Sequence, residues 1–506
     1  MLEWMHQSAL DLLVLYPNNR ERAFGKLADT VAAVTPPVQA GLIASYARRE
    51  GLQVAILDAE VDNLSAAASA EKILELQPKL VTISTDCLNS GDVTKMQAAI
   101  DTLRAIKAGA PQLPVVLEGV VPSAYPEKLL REENCDFVCQ GEAFESIVGL
   151  SRFLASGNGD SSLRDRNIPG IWMKVGDEVI ESERAPLVDQ PDSLPSVAWD
   201  LMPPSQYRAH HWHCFDALDR RTPYASIYTN LGCPYPCTFC NVNVVAGGPN
   251  FRPRTPESVI NEIEYLVKEH QVRNIRILDN VFTVRLDLVE ELCDRIIDKE
   301  FDLNMWCYAR VETIRNREIL GKMKQAGVHW VAYGIEAANE RVRKGVEKPS
   351  DQKVIDRAVE WTREAGIYIV GNFIFGLPED DLETMQESLD MAKNYNFEWA
   401  NFYCAMAYPG TELYNYAVRE GLPLPDSWSG FGQYSADALP LPSKYISSRE
   451  ILRFRDDAFI DYFTHPPYLR LMEKTFGTDA VDFVKAIVKF GKPHRNLLAE
   501  SRPSSG

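Results

Sequence analysis

Leu231-Gly-Cys-Pro-Tyr-Pro-Cys-Thr-Phe-Cys-Asn241 is the stretch on which the reading of this chain turns. Cys233, Cys237 and Cys240 are separated by three and then two residues, on a short loop rich in Gly and Pro. Three thiolates at that spacing suit three corners of a [4Fe-4S] cube. Such clusters normally take four Cys ligands, so a missing fourth leaves one iron open to a substrate or cofactor. A structural zinc site asks instead for a fourth Cys or His in a second spaced pair. The remaining cysteines, at 87, 135, 139, 214, 293, 307 and 404, form no such pair. A lone CxxC is often a redox pair or half a zinc site; the complete triple, with Phe239 before its last Cys, favours the cluster.

Composition fits an enzyme of the cytoplasm. A length of 506 residues leaves room for about three domains, and 45% hydrophobic content is ample for large cores. The opening Met-Leu-Glu-Trp-Met-His-Gln lacks the basic start and apolar run of a signal peptide, and no stretch approaches the roughly 18 apolar residues of a membrane span. Ten irregularly spaced cysteines suit a reducing compartment rather than a disulfide framework. A net charge of −18 argues against a general nucleic-acid binder, because phosphate contacts need concentrated Lys and Arg.

An α/β fold follows from the pattern along the chain. Over residues 1–152, the β-rich runs Leu10–Leu15, Gln53–Leu57, Leu80–Ser84, Val115–Leu117 and Phe137–Val138 alternate with amphipathic stretches such as Pro37–Arg49 and Asp92–Lys107. This alternation predicts a doubly wound parallel sheet, Rossmann-like, with a ligand at the carboxyl ends of its strands. The loops there are Thr35-Pro-Pro-Val-Gln39, Ser84-Thr-Asp-Cys-Leu-Asn-Ser90, Glu118-Gly-Val-Val-Pro-Ser123 and Gln140-Gly-Glu-Ala143. Residues 153–222 read as a connector with a hairpin around Val175-Gly-Asp177. Its His210-His-Trp-His-Cys214 reads as a packed or ligand-facing aromatic loop rather than a second metal site.

From 223 to 420 the alternation resumes with six strand candidates: Ala225–Tyr228, Ile275–Leu278, Met305–Tyr308, Trp330–Gly334, Tyr368–Phe375 and Ala400–Cys404. Helices are expected at Pro256–Glu269, Asp287–Lys299, Arg315–Ala326, Asp351–Ala365 and Leu382–Tyr395. Six βα units predict an open, partial (β/α)6 TIM barrel whose active site lies at the carboxyl ends. Residues 421–506 are mixed and mostly helical, and are expected to cap the barrel mouth and set the substrate.

The cysteine loop at the end of the first barrel strand resembles the signature of the radical S-adenosylmethionine (radical SAM) enzymes, and the resemblance covers nearly all of 223–420. It implies a [4Fe-4S] cluster on Cys233, Cys237 and Cys240, with the methionine portion of S-adenosylmethionine chelating the open iron. It places Asp279 and Asn280 at the amino group, Arg310 at the carboxylate, Glu336 at the ribose hydroxyls, the backbone of Gly371 and Gly376 against the adenosine, and Phe239 over the adenine. Tyr408-Pro-Gly-Thr411 closes the sixth strand as in the family.

The first 152 residues resemble the cobalamin-binding domain that precedes the barrel in the large class containing the class B radical SAM methyltransferases. That likeness implies cobalamin contacts from Thr35, Pro36, Gln39, Ser84, Thr85, Asn89, Ser90, Glu118, Gly119, Gly141 and Glu142. Two departures stand out. The Asp-x-His-x-x-Gly motif is missing, since His6 is the only histidine before residue 200, and Val-Val-Pro-Ser stands where the family tends to show Gly-Gly. Cobalamin is accordingly expected base-off, without an axial histidine. A flavodoxin-like domain that is empty or binds another ligand is the alternative.

The combined resemblance implies reductive cleavage of S-adenosylmethionine to a 5′-deoxyadenosyl radical, an external reductant of flavodoxin or ferredoxin type, and a small-molecule substrate. C-methylation of an unactivated carbon leads. Ring formation or rearrangement, a cobalamin-independent radical enzyme and a non-catalytic Fe–S redox protein are the alternatives. RNA methylthiolation would need a basic RNA-binding module that the tail lacks.

Overall fold

The structure is a computed structural model that describes residues 10–24, 32–85, 93–156, 168–489 and 496–499. Asn89 and Ser90 lie outside the described residues.

The N-terminal unit is built on strands β1 (Leu12–Tyr16), β2 (Val54–Asp58), β3 (Leu80–Ser84), β4 (Val115–Glu118) and β5 (Phe137–Cys139). They pair in parallel in the order β2-β1-β3-β4-β5, with Leu12 opposite both Val54 and Leu80. β1 and β3 are buried along their whole length, as expected of central parallel strands covered on both faces. The order reverses between β1 and β3, the point where ligands of such sheets normally sit.

A hairpin of β6 (Ile171–Val175) and β7 (Glu178–Ile180), turning at Gly176 with φ +63°, adds antiparallel to β5 through Phe137 opposite Met173. The hairpin expected in the connector therefore completes the N-terminal sheet. It covers a β5 edge whose side chains are all apolar and buried.

The second unit has strands β8 (Tyr224–Ile227), β9 (Asn230–Leu231), β10 (Arg252–Pro253), β11 (Asn274–Ile277), β12 (Asn304–Ala309), β13 (Val328–Glu336), β14 (Tyr368–Phe375) and β15 (Trp399–Cys404). Six of them form one parallel sheet in the order β15-β14-β13-β12-β11-β8, with β8 and β15 as its edges. This is the open (β/α)6 arrangement. Its helices, such as Pro256–His270 and Leu382–Tyr395, start on side-chain caps from Thr255 and Asp381.

The amino ends of the barrel strands are closed by aromatic side chains. Trp212 packs edge-on against Trp306 at 5.1 Å and Trp330 at 5.3 Å, so the His-rich loop is a plug. His213 is fully buried, its Nε2 lies 3.0 Å from the Asn304 carbonyl, and burial pushes its pKa down to about 3. Among the described residues no group of His, Cys, Asp or Glu is gathered for a single metal ion.

The C-terminal helices correct the expectation for the tail. Phe476 of helix Pro466–Phe476 lies 4.8 Å from Tyr368, the first residue of β14, and Phe483 of helix Thr478–Lys489 lies 4.1 Å from His211. These helices seal the amino end, opposite the mouth. The preceding segment reaches the mouth, where the Gln433 amide bonds both N–H and C=O of Cys404 at 2.8 and 2.9 Å. Among the described residues no helix is long and apolar enough to cross a membrane.

Candidate active site

The cluster loop leaves the two-residue ladder of β9 with β10, where Arg252 faces Leu231. Gly232 turns the chain at φ +84°, and a Cβ there would meet Asn250 Oδ1 at 2.0 Å. The loop is then held from outside: Thr238 N donates to Val346 O at 3.3 Å, and Leu413 N donates to Thr238 O at 2.8 Å. Cys233, Cys237 and Cys240 thereby line one cavity of about 310 Å³ at the carboxyl ends of the barrel strands.

Phe239, Asn280, Arg310 and Glu336 line the same cavity, as does Gly334. Burial pushes the Cys240 thiol up to about 12 and raises Cys233, while the charges of Arg310 and Lys348 draw Cys233 the other way. Arg310 stacks over the Tyr235 ring at 4.0 Å, and its Nη1 donates to Cys237 Sγ at 3.2 Å. Three thiols on one loop, with cations at hand, are a donor set that fits a [4Fe-4S] cluster with one open iron; Cys404, at the end of β15, lines the same cavity.

Several residues expected at the ligand do other work. Asp279 is buried beneath the loop and absent from the cavity wall. Its carboxylate accepts from Thr229 N at 2.7 Å, from Asn230 N at 3.3 Å and Nδ2 at 2.6 Å, and from the Thr229 hydroxyl. Burial pushes its pKa up to about 6. It pins the turn that launches the cluster loop, which leaves Asn280 as the member of the pair facing the cavity. Gly371 and Gly376 also face away: a Cβ would meet the Phe397 ring at 2.5 Å in one case and Ile451 at 2.5 Å in the other. Asn372 and Ile374, the alternate positions on β14, line the cavity instead.

Arg310 is also more committed than expected, since its Nε donates to Glu312 at 2.9 Å and Nη2 bonds the same oxygen. Glu336 holds a left-handed backbone at φ +67°, uncommon for a residue with a side chain, and its carboxylate pairs with Lys348. Lys348 and Tyr403 line the cavity without any motif having marked them, and Tyr308, Tyr408 and Gln433 line it too.

The carboxyl edge of the N-terminal sheet meets the cluster loop directly. Gly119, at φ +127°, precedes helix Val120–Ala124, and Val120 packs on Val245 just beyond the loop. Tyr125 and Tyr414 lie 5.5 Å apart across the same boundary. Glu142 and Arg252 form a doubly bonded ion pair at 2.6 and 3.0 Å, and Glu142 also accepts from Val188 N at 2.7 Å. Gly141 makes room for Arg184 and Ala185, whose atoms a Cβ would meet at 3.0 and 3.1 Å. Thr85 bonds the Glu118 carbonyl at 2.9 Å, Pro36 O accepts from Val38 N at 3.0 Å, and Thr35 is half-buried.

Other groups at this edge remain open to a ligand. The Thr82 and Ser84 hydroxyls on β3 and both amide atoms of Gln39 are buried without a hydrogen-bond partner among the described residues. Buried polar groups are normally paired, so orphans on the strand beside the sheet's reversal point fit the polar tail of a large ligand such as cobalamin. The chain supplies no histidine from residue 10 to 209 to bind cobalt.

Residues 227–392 match the family model of the Radical SAM superfamily, and residues 26–151 match that of the B12 binding domain. The two matches fall in the order cobalamin-binding domain, then radical SAM domain. The chain is 28% identical over 460 residues to an uncharacterized methyltransferase of Pyrococcus horikoshii, covering 90% of this chain and 93% of that one. It is 26% identical over 391 residues to the anaerobic magnesium-protoporphyrin IX monomethyl ester cyclase of Rubrivivax gelatinosus, covering 76% and 66%. Its fold is that of the radical SAM methyltransferase TsrM from Kitasatospora setae, solved with tryptophan substrate and a SAM analogue: TM-score 0.65, 16% identity, 96% of this chain and 99% of that one.

Proposed function

We propose that the protein is a cobalamin-dependent radical SAM enzyme that C-methylates an unactivated carbon of a small molecule. One observation carries the reading. The three cysteines, Asn280, Arg310 and Glu336 share one cavity, and Val120 at the carboxyl edge of the N-terminal sheet packs on Val245, a few residues beyond the loop that holds those cysteines. When bound, the cluster supplies the electron that splits S-adenosylmethionine, and cobalamin supplies the methyl group to the substrate radical.

The chain's own residues bind and exclude water. Asn280 and Glu336 offer polar atoms to the amino group and the ribose, Phe239 offers a ring to the adenine, and Tyr403, Met406 and Ile374 give the far wall an apolar surface. Such a dry, shaped wall holds a radical against its target C–H. The Rubrivivax relative keeps cyclisation as the second reading. An external one-electron reductant, a base-off cobalamin and a cytoplasmic setting complete the proposal.

The test is to load anaerobically reconstituted protein with excess hydroxocobalamin and pass it through gel filtration. Retention of about one equivalent, with an absorption spectrum lacking histidine ligation, supports the reading. Retention of none moves the cobalamin-independent alternative ahead.

A further inference from the structure

Two cations line the cluster cavity, Arg310 and Lys348, and they differ in what they have left to give. Arg310 is spent on three sides. Nε and Nη2 bond Glu312, Nη1 bonds the Cys237 sulfur, and the Tyr235 ring covers its face. Lys348 is 7% exposed, and among the described residues its ammonium bonds Glu336 alone. An ammonium has three donors, so the capacity for a further acceptor lies there.

The backbone is arranged around this ammonium. A Cβ on Gly334 would meet Lys348 Nζ at 2.4 Å and Glu336 Oε1 at 2.4 Å, so the pair lies directly against the strand at this glycine. Lys348 N donates to Arg343 O at 3.1 Å, and the adjoining Val346 O accepts from Thr238 in the cluster loop. The lysine is thus fixed to the same short segment that braces the cysteines. Its charge bears on both Cys233 and Cys240.

Glu336 takes one of the three Lys348 donors through a single carboxylate oxygen, so a ligand that closes the cavity over this buried ammonium strands its other donors unless it brings an acceptor of its own. The methionine portion of S-adenosylmethionine brings a carboxylate. We propose that Lys348 is a positioning residue that takes the carboxylate of S-adenosylmethionine, while Arg310 serves the Cys237 sulfur. The proposal rests on the radical SAM reading above and moves the carboxylate contact away from the residue that the sequence pattern marks for it.

The test compares equilibrium binding of S-adenosylmethionine and of its decarboxylated analogue to cluster-loaded protein. Iron content is measured in every sample. In Lys348→Met, affinity for S-adenosylmethionine falls roughly 10- to 100-fold, the size of a lost charge-assisted hydrogen bond. Affinity for the decarboxylated analogue stays within about twofold, so the preference between the two ligands collapses. Lys348→Arg keeps a cation and keeps most of that preference, and it carries the test if Lys348→Met fails to load iron. Equal losses for both ligands in Lys348→Met, or loss of the preference in Lys348→Arg, overturns the carboxylate assignment. Failure of the wild-type, cluster-loaded protein to bind S-adenosylmethionine overturns the underlying reading instead, and the two failures are told apart by that control.

Discussion

Arg252→Met tests how the N-terminal sheet is coupled to the cluster loop. Arg252 and Glu142 have side chains only 11% and 9% exposed. Arg252 gives Glu142 two hydrogen bonds and donates a third to Val188 O at 2.8 Å. The substitution leaves a buried carboxylate that still accepts from Val188 N. Removing one partner of a buried ion pair typically costs about 3–5 kcal/mol. At about 1.36 kcal/mol per factor of ten, local opening of this junction becomes roughly two to three and a half powers of ten more frequent. Val188 N–H is the natural reporter, because Glu142 is its acceptor. Hydrogen exchange of a peptide spanning 186–190 should accelerate by at least about 100-fold, and exchange across 230–253 should rise with it. Adding Glu142→Gln removes the stranded charge and should restore much of the protection, since ion pairs replaced as a pair are often nearly neutral. Unchanged exchange at Val188 in Arg252→Met, or no recovery in the double variant, would refute this account of the junction.

Three further outcomes are expected. Cys233→Ala, Cys237→Ala and Cys240→Ala each lose the cluster, about four iron per chain, and form no 5′-deoxyadenosine. Cys135→Ser and Cys293→Ser keep both, since neither thiol lines the cluster cavity. Gly371→Ala drives a methyl into Phe397 and should cost about 1–3 kcal/mol of stability, with S-adenosylmethionine affinity unchanged; a selective loss of affinity would return that glycine to the ligand. Burial and Glu60 raise the Asp58 carboxyl from 3.8 to about 7. Folding thus favours its protonated form, and that stabilisation is complete below its unfolded value and lost as pH rises through about 7. Asp58→Asn should gain on wild type between about pH 4 and pH 7, by at most ~4 kcal/mol, in urea unfolding at each pH; a constant difference would contradict the shift.

What could be read from the sequence divides along physical lines. Strand Tyr368–Phe375 and helix Leu382–Tyr395 fall where the residue pattern puts them, because apolar periodicity reports a buried face locally. The cysteine triple was legible because its chemistry is local to one loop. Asp279 and Asn280 differ in a way that local pattern cannot resolve: neighbours on an extended chain point opposite ways, and which one meets the ligand depends on what the barrel packs behind it. Gly371 was read toward the adenosine for the same reason, while the Phe397 ring behind it lies 26 positions on in the chain. Glu142 and Gly141 carry the loop chemistry of a ligand site, yet their partners Arg252 and Arg184 come from separate segments of the chain. The tail helices show the remaining difficulty. Amphipathic spacing says that a face is buried and is silent on which end of the barrel receives it, so Phe476 and Phe483 went to the wrong end.

The central claim, that one chain joins radical S-adenosylmethionine chemistry to cobalamin, is tested most directly by the products made from S-adenosylmethionine itself. Cluster-loaded protein is incubated anaerobically with reductant and methyl-deuterated S-adenosylmethionine, with and without bound cobalamin, and the adenosyl products are measured by mass spectrometry. The account predicts 5′-deoxyadenosine that depends on Cys233, Cys237 and Cys240, together with S-adenosylhomocysteine that forms only when cobalamin is bound. Production of 5′-deoxyadenosine alone, unchanged by cobalamin and with no S-adenosylhomocysteine in either sample, would contradict it.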